Sequence, residues 1–263
     1  VAKRKSSVPP PVPVGRHQKP EVAPLATVHL PAVVVRAPAL KITAIIPVLN
    51  EAPGIELTLE CLQSFRKAGH EVIVVDGLSD DDTLARARPL ADHVLTAARG
   101  RAVQMNAGAR IAQGDILWFL HADCLAPLHA DRLIFDALNK QGANWGHFEV
   151  RLSASGFLYR IIEFMMNNRS RMSAIATGDQ GMFITHKVFT KVGGFPDIAL
   201  MEDIAISRRL RAYGRPVCLR QKLTTSSRRW EKRGAWRTIL MMWCLRLAYA
   251  LGADPKKLAR LYQ

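Results

Sequence analysis

Short apolar runs alternate with helical segments along this chain, and that alternation restricts the fold more than any other feature. It begins abruptly at Lys41. Strands that are continuous apolar runs between helices are buried on both faces, as in a mostly parallel sheet. The sequence therefore predicts an α/β fold whose mostly parallel central sheet is flanked by helices. The predicted strands cover residues 42–47, 72–75, 93–95 and 116–120, and the predicted helices cover 54–68, 81–88 and 105–112.

The two ends of the chain differ from this region in composition. Residues 1–40 contain eight prolines and the basic run Lys3, Arg4 and Lys5, and such proline density prevents a regular helix. We predict a flexible tail, with a basic tether to a membrane or a partner as the alternative. The main domain is predicted at 41–225, followed at 226–263 by a helical extension that is packed on the domain or lies at a membrane surface.

Charge is distributed unevenly along the chain. The 37 basic and 22 acidic residues give a formal charge of +15, which on its face suggests a nucleic acid or an anionic membrane. Residues 205–263, however, hold 15 basic and two acidic residues, whereas residues 41–204 hold 16 and 19. Because the central region is slightly acidic, we predict a basic C-terminal extension that forms a local anion site, and no nucleic-acid partner.

Cysteine spacing and hydropathy predict the compartment. The four cysteines show no CxxC or Cys/His ligand spacing, which argues against a zinc site or a disulfide framework. There is neither an apolar run of about 18 residues nor a signal-peptide core. These features predict a cytoplasmic protein. The apolar segment 236–251 is predicted as a buried core helix, with an interfacial helix at the inner face of the membrane as the alternative.

Polar residues follow three of the predicted strands. Pro47, Asn50 and Glu51 end the first, Asp76 ends the second, and His121 and Asp123 follow the fourth. Each is an ordinary turn or cap residue when taken alone. Ligands bind beyond the carboxyl ends of strands in such sheets, so three polar strand ends together indicate a binding site. Their carboxylates repel one another unless they are spread apart or share a cation.

Absent motifs exclude other enzyme classes. No GxGxxG follows the first strand, and no GxxxxGK[ST] occurs, which disfavours a dinucleotide-binding dehydrogenase and a P-loop NTPase. A GxSxG nucleophile elbow is also absent.

Five segments in order resemble a family 2 glycosyltransferase of the A-type fold. The resemblance runs from about residue 42 to 220, and three further segments, 100–106, 177–180 and 227–230, resemble the subgroup associated with arsenosugar biosynthesis. The five segments are Ile45-Ile46-Pro47-Val48-Leu49-Asn50-Glu51, Val74-Val75-Asp76-Gly77, Phe119-Leu120-His121-Ala122-Asp123, Gly193-Gly194-Phe195 and Met201-Glu202-Asp203.

The resemblance implies a nucleotide-sugar donor, with UDP as the nucleotide. Arg101, at the start of a helix that includes Asn106, would reach the diphosphate together with helix N-terminal amides. Asp76 would accept a hydrogen bond from the N3–H of the uracil ring, and Glu51 would accept hydrogen bonds from ribose hydroxyls. The donor-binding residues implied are Pro47, Asn50, Glu51, Asp76, Arg101, Asn106 and Asp123.

The resemblance also implies a divalent cation, Mn²⁺ or Mg²⁺, bound by Asp123. The first aspartate of the family's Asp-x-Asp motif is His121 here, and imidazole suits Mn²⁺ better than Mg²⁺. We therefore keep two interpretations of His121: a metal ligand, and a hydrogen-bonded wall of the pocket.

On the acceptor side, the family pattern makes Asp203 the general base for transfer to a hydroxyl with inversion. A structural pair of charges at a helix N-terminus is the alternative for Glu202 and Asp203. The acceptor is a small molecule or a lipid-linked hydroxyl. The residues predicted to bind it are Thr177, Gly178, Asp179, Gln180, Glu202, Arg229 and Trp230.

Two other functions are weighed against this hexosyltransferase-type activity. A nucleotidyltransferase would hold a nucleotide and a metal on a similar sheet but would release pyrophosphate. A basic membrane-binding or nucleic-acid-binding protein with a degenerate pocket would bind polyanions in a salt-sensitive way without consuming a donor.

Overall fold

The computed structural model describes residue 1 and residues 40–262, apart from the side chains at positions 229, 232 and 233. The predicted tail therefore lies outside the described residues except at its two ends.

One mixed sheet of eight strands forms the centre of the described region, in the order β3-β2-β1-β4-β7-β6-β8-β5. The first four strands of the chain fall where the alternation of apolar runs and helices predicts them. The strands are β1 Ile42–Val48, β2 Glu71–Asp76, β3 His93–Thr96, β4 Ile116–Phe119, β5 Cys124–Leu125, β6 Trp145–Leu152, β7 Phe183–Thr185 and β8 Val217–Thr225.

The prediction of a mostly parallel sheet is correct for one half of it. Strands β3, β2, β1 and β4 are parallel neighbours. Strand β7 runs antiparallel to both β4 and β6, and β5 runs antiparallel to β8. Strand β8 is parallel to β6 but carries exposed polar residues between its buried Leu219 and Leu223. Because the continuous apolar pattern ends after β4, the sequence does not predict the pairing of the second half.

Helices flank the sheet, and the helix predicted at 54–68 is divided into two at Leu62. Short 3₁₀ turns follow α3 and α8, and another covers Gly178–Gln180. The helices are α1 Ile55–Cys61, α2 Gln63–Lys67, α3 Thr83–Ala87, α4 Arg101–Ile111, α5 Ala130–Lys140, α6 Phe157–Ser173, α7 His186–Val192, α8 Glu202–Leu210, α9 Arg228–Arg233, α10 Ala235–Ala250 and α11 Pro255–Tyr262.

Apolar clusters lie on both faces of the sheet. Alternate residues of a strand point to opposite faces. Accordingly, Ile46 and Trp118 belong to one cluster, and Ile45 and Phe119 belong to the other. Burial on both faces explains why these strands are continuous apolar runs, and it fixes the positions of their carboxyl ends.

A third, smaller cluster packs the C-terminal helices against the start of α8. Leu245 of α10 and Leu258 of α11 belong to one buried cluster with Met201 and Ile204. Helix α10 is therefore only partly a buried core helix, because Trp236 remains 73% exposed and several other apolar residues of α10 are also exposed. No helix in the described residues is long and apolar enough to cross a membrane.

Candidate functional site

A cavity of about 1120 Å³ opens at the carboxyl ends of β1 and β4. Helices α6 and α10 form its other walls. Residues on both sides of the boundary predicted at residue 225 line the cavity. The predicted site residues in the lining are Glu51, Arg101, His121, Asp123, Thr177, Gly178, Asp179, Asp203 and Trp230.

Asp123 lies in the polar part of the cavity. Burial raises the pKa of its carboxyl, and the nearby charge of Glu51 raises that pKa further. Nη2 of Arg228 donates to Oε2 of Glu51 at 2.9 Å and draws the start of α9 toward the end of β1. The prediction named Arg229 instead, whose side chain lies outside the described part. Arg228 is not among the predicted site residues, although it belongs to the same Ser-Arg-Arg-Trp segment, whose two arginines suit binding of a diphosphate.

The loop 177–180 brings the general-base candidate to the cavity. Thr177 and Gln180 cap the 3₁₀ turn reciprocally, and both are buried. The backbone amide of Gly178 then donates to Oδ2 of Asp203 at 3.1 Å. Gln180 thus stabilises the conformation of the loop but does not line the cavity.

Glu202 and Asp203 begin α8, where the helix dipole stabilises negative charge. Arg101 Nε lies 2.9 Å from Oε1 of the buried Glu202. Burial raises the pKa of both carboxyls, and the positive charge of Arg101 opposes that rise. Arg101, predicted to bind the diphosphate, therefore also forms an ion pair within the protein and acts on Asp203. Glu202 is absent from the cavity lining.

Three predicted donor-binding residues lie outside the cavity lining. Asp76 is fully buried, and its carboxylate accepts hydrogen bonds from the amide and the hydroxyl of Ser79. Oδ1 of Asn50 accepts from the backbone amide of Asp80 at 3.0 Å, and the backbone amide of Asn50 donates to the Ser79 hydroxyl. Pro47 is buried within β1. The contacts of Asn50 and Asp76 with Ser79 and Asp80 join the loops after β1 and β2 at the edge of the sheet.

Asn106 is a further predicted donor-binding residue outside the lining. Its side chain donates to the carbonyl of Phe195 at 2.8 Å and accepts from the amide of the same residue at 3.0 Å. Both ends of the amide group are thus used to hold the Gly-Gly-Phe loop to α4.

The residues around Asp123 are compatible with a cation shared with a substrate. In the part of the chain that the structure describes, no three His, Cys, Asp or Glu side chains form a ligand set. Nevertheless, the buried Oδ1 of Asp179 has no hydrogen-bond partner among the described residues, and Asp123 and Glu51 are close enough to repel. Carboxylate oxygens bind Mg²⁺ and Mn²⁺ well when phosphate oxygens supply the remaining ligands.

The apolar walls of the cavity contain two residues that the sequence patterns did not predict. Arg169 lies on α6 and Arg246 on α10, among the residues that line the cavity. Nη2 of Arg169 donates to the Thr177 hydroxyl at 3.2 Å. No motif includes either arginine. Arg246 stands in a mostly apolar helix, which is a weak signal, whereas α6 contains several other charged and polar residues and offers no such signal for Arg169.

The family model for glycosyl transferase family 2 matches residues 43–195, more than half of the chain. The chain therefore belongs to glycosyl transferase family 2, which confirms the family-level resemblance and the predicted enzyme class. The arsenosugar subgroup remains a prediction. A sequence comparison with curated proteins found no match.

Solved structures of glycosyltransferases share this fold. Mannosyltransferase PcManGT from Pyrobaculum calidifontis, in complex with GDP-Man and Mn²⁺, is 24% identical with a TM-score of 0.57, over 82% of this chain and 66% of that one. TarS from S. aureus in complex with UDP-GlcNAc is 18% identical with a TM-score of 0.56, over 71% and 58%. Glucosyl-3-phosphoglycerate synthase from Mycobacterium tuberculosis is 18% identical with a TM-score of 0.53, over 71% of each chain.

These likenesses establish the A-type glycosyltransferase fold with its mixed sheet. The chain spans about two thirds of PcManGT and less of TarS.

Proposed function

We propose that this chain transfers a hexose from a nucleotide diphosphate sugar to a hydroxyl acceptor with inversion. The observation that carries the proposal is that Asp123, on the sheet side, and Asp203, at the start of α8, line the same cavity. Two carboxylates from different elements in a shared cavity suit a reaction with a leaving diphosphate and an attacking hydroxyl. UDP is the proposed nucleotide, and Glu51, in the cavity lining, is the proposed contact with its ribose.

Asp203 is the proposed base. Its Oδ1 accepts from the amide of Ile204 at 2.7 Å, and its Oδ2 accepts from Gly178, so the carboxylate is held in one orientation. The acceptor hydroxyl gives its proton to this carboxylate as its oxygen bonds to the anomeric carbon. The bond from that carbon to the diphosphate oxygen breaks, and its electron pair leaves with the nucleoside diphosphate.

Asp123 is the proposed metal-binding residue, with His121 as a second ligand or a wall of the pocket. A bound Mn²⁺ or Mg²⁺ would neutralise the charge that develops on the leaving diphosphate. The remaining acceptor contacts proposed are Thr177, Gly178, Asp179 and Trp230. We place the protein in the cytoplasm, with a peripheral position at the membrane as the alternative.

Product analysis tests this function and separates it from its rivals. The full chain is incubated with UDP-sugars and GDP-sugars in the presence of Mn²⁺ or Mg²⁺, and ligands are first ranked by the rise in melting temperature. Release of a nucleoside diphosphate supports the proposal. Release of pyrophosphate would indicate a nucleotidyltransferase, and salt-sensitive polyanion binding without donor consumption would indicate a binding protein.

A further inference from the structure

The cavity is larger and more apolar than a donor site requires. Ligand pockets occupy roughly 300–1,000 Å³, and the cavity of about 1120 Å³ has all four of its carboxylates near the ends of β1 and β4, the loop 177–180 and the start of α8. The far walls carry Met165, Met166 and Met172 from α6 and Met242 and Leu247 from α10. A nucleotide sugar at the polar end would leave this apolar end for a second molecule.

The apolar walls continue to the outside of the protein. Phe164 and Met172 of α6 are 69% and 75% exposed, and Trp243 and Leu247 of α10 are 61% and 62% exposed, yet all four line the cavity. Exposed apolar surface of this extent marks a binding site on a folded protein. A long apolar chain can therefore lie between α6 and α10 with one end at the surface.

Each apolar wall also contains an arginine. The Nε atoms of Arg169 and Arg246 are buried, and neither has a hydrogen-bond partner among the described residues. A buried, unpartnered N–H of a guanidinium is costly unless a ligand accepts from it. Arginine binds phosphate and carboxylate groups through paired donors, so the missing partner is an anion.

Both arginines line the cavity, and Arg169 lies at its acceptor side. Arg169 interacts electrostatically with Asp179 and Asp203, so its guanidinium lies near the proposed base. The other two arginines of the lining are already in ion pairs, Arg101 with Glu202 and Arg228 with Glu51. Among the arginines of the lining, Arg169 and Arg246 therefore remain to bind an anionic group of a second substrate.

We propose that the acceptor is an anionic, hydroxyl-bearing amphiphile whose hydrocarbon chain lies between α6 and α10 and whose anionic group is bound by Arg169 and Arg246. This inference rests on the proposed function, because the acceptor hydroxyl is the one deprotonated by Asp203. A phosphate monoester that carries one acyl chain and a free alcohol hydroxyl has the required chemistry, and simple alkyl phosphates reproduce its anionic group and its chain but not its hydroxyl.

Binding of butyl, hexyl and octyl phosphate to the full chain, below their micelle concentrations, tests the apolar part of the site. Each buried methylene is expected to tighten the dissociation constant by about fourfold. Leu247→Gln should weaken octyl phosphate severalfold and leave butyl phosphate unchanged. Leu57→Gln is the matched control, since Leu57 is 55% exposed and lies outside the cavity lining. A dissociation constant independent of chain length would overturn the inference.

The two arginines test the anionic part. Arg246→Gln and Arg169→Gln should each weaken octyl phosphate by about tenfold or more and leave the neutral octyl glucoside unchanged. Arg110→Gln, at an exposed position of α4, should weaken neither. Arg246 is the more informative site if the Arg169 variant fails to fold. Equal losses for both ligands would contradict an anion site.

Transfer and vesicle measurements complete the test. With a donor bound, the octanoyl ester of glycerol 3-phosphate should be glycosylated at least about 100-fold more efficiently than glycerol 3-phosphate itself. The inference would be overturned if the two acceptors were glycosylated with equal efficiency and if the protein bound phosphatidylcholine vesicles in a way that Leu247→Gln abolishes. The exposed apolar residues would then be a membrane contact. In that case, donor binding and diphosphate release by the wild-type protein would still support the proposed function. If the wild-type protein showed neither, the proposed function itself would be contradicted.

Discussion

Asp203 accepts a hydrogen bond from the backbone amide of Gly178 at 3.1 Å, and this contact joins the start of α8 to the loop 177–180. Gly178 also lies against His121 from the end of β4. A Cβ atom at position 178 would lie 2.3 Å from Nε2 of His121. The proposed base, the acceptor loop and the histidine of the metal motif therefore meet at one residue that has no side chain.

The substitution Gly178→Ala should lower both stability and turnover. The added methyl group cannot fit without moving the imidazole or the loop, and overpacking of this kind costs about 1–3 kcal/mol. Thermal unfolding and steady-state kinetics measure the two effects. Gly54→Ala is the control, because nothing lies within 4 Å of a Cβ there. The double variant Gly178→Ala, His121→Ala should regain stability, and no regain would show that the clash is elsewhere.

The substitution Arg101→Gln should shift the pH dependence of turnover. Arg101 lowers the pKa of Asp203 against the effect of burial. Without this cation the pKa of Asp203 rises, so the carboxylate becomes protonated at higher pH and the acidic limb of the kcat profile moves upward. Arg110→Gln on the same helix should leave the profile unchanged. A loss of donor affinity without a shifted limb would instead support the predicted role of Arg101 at the diphosphate.

Acid should destabilise the protein through His147. This buried imidazole donates from Nδ1 to the carbonyl of Phe148, its Nε2 accepts from the Cys218 thiol, and burial lowers its pKa from 6.5 to about 4. The unfolded chain binds the proton more tightly, so stability is full above pH 6.5 and falls as the pH decreases toward 4. The expected loss is about 3 kcal/mol.

Denaturant unfolding at several pH values checks this expectation. The variant His147→Gln should be less stable at neutral pH but should show a smaller slope of stability between pH 6.5 and 4. An unchanged slope would assign the acid sensitivity to other groups.

The substitution Asn106→Ala should destabilise the fold without weakening donor binding. It removes two hydrogen bonds to the backbone of Phe195, at an expected cost of about 1–3 kcal/mol. Urea unfolding measures the stability, and calorimetry measures the affinity for the donor under conditions where the variant is folded. A loss of donor affinity without a loss of stability would instead support the predicted contact between Asn106 and the nucleotide sugar.

The sequence predicts the first half of the sheet well because of how those strands are buried. Parallel strands covered on both faces must be largely apolar, so β1, β2 and β4 lie within one or two residues of their predicted positions. Strand β3, at the edge of the sheet and only partly buried, also lies within one residue of its predicted position. The second half depends on contacts distant in sequence. Strands β5 and β7 have only two and three residues, and their antiparallel pairing leaves no local pattern.

The site is predictable only where topology groups its residues. The ends of β1 and β4 place Glu51 and Asp123 together, and the motif at the start of α8 identifies Asp203. Burial and hydrogen bonding determine which of the other side chains reach the cavity, and neither can be inferred from a short motif. Asp76 lies beneath the surface, bonded to Ser79, and Arg169 reaches the cavity from α6 through packing that no sequence motif records.

Turnover and donor affinity of Asp203→Asn, measured together, test the central claim most directly. The amide preserves the shape of the side chain but cannot accept the acceptor's proton. We expect kcat to fall by about 10²–10⁴ and the dissociation constant of the donor to remain within about twofold, while Asp197→Asn, at an exposed position, changes neither. Wild-type turnover by the Asp203→Asn enzyme would contradict the account, because the base would then be another group.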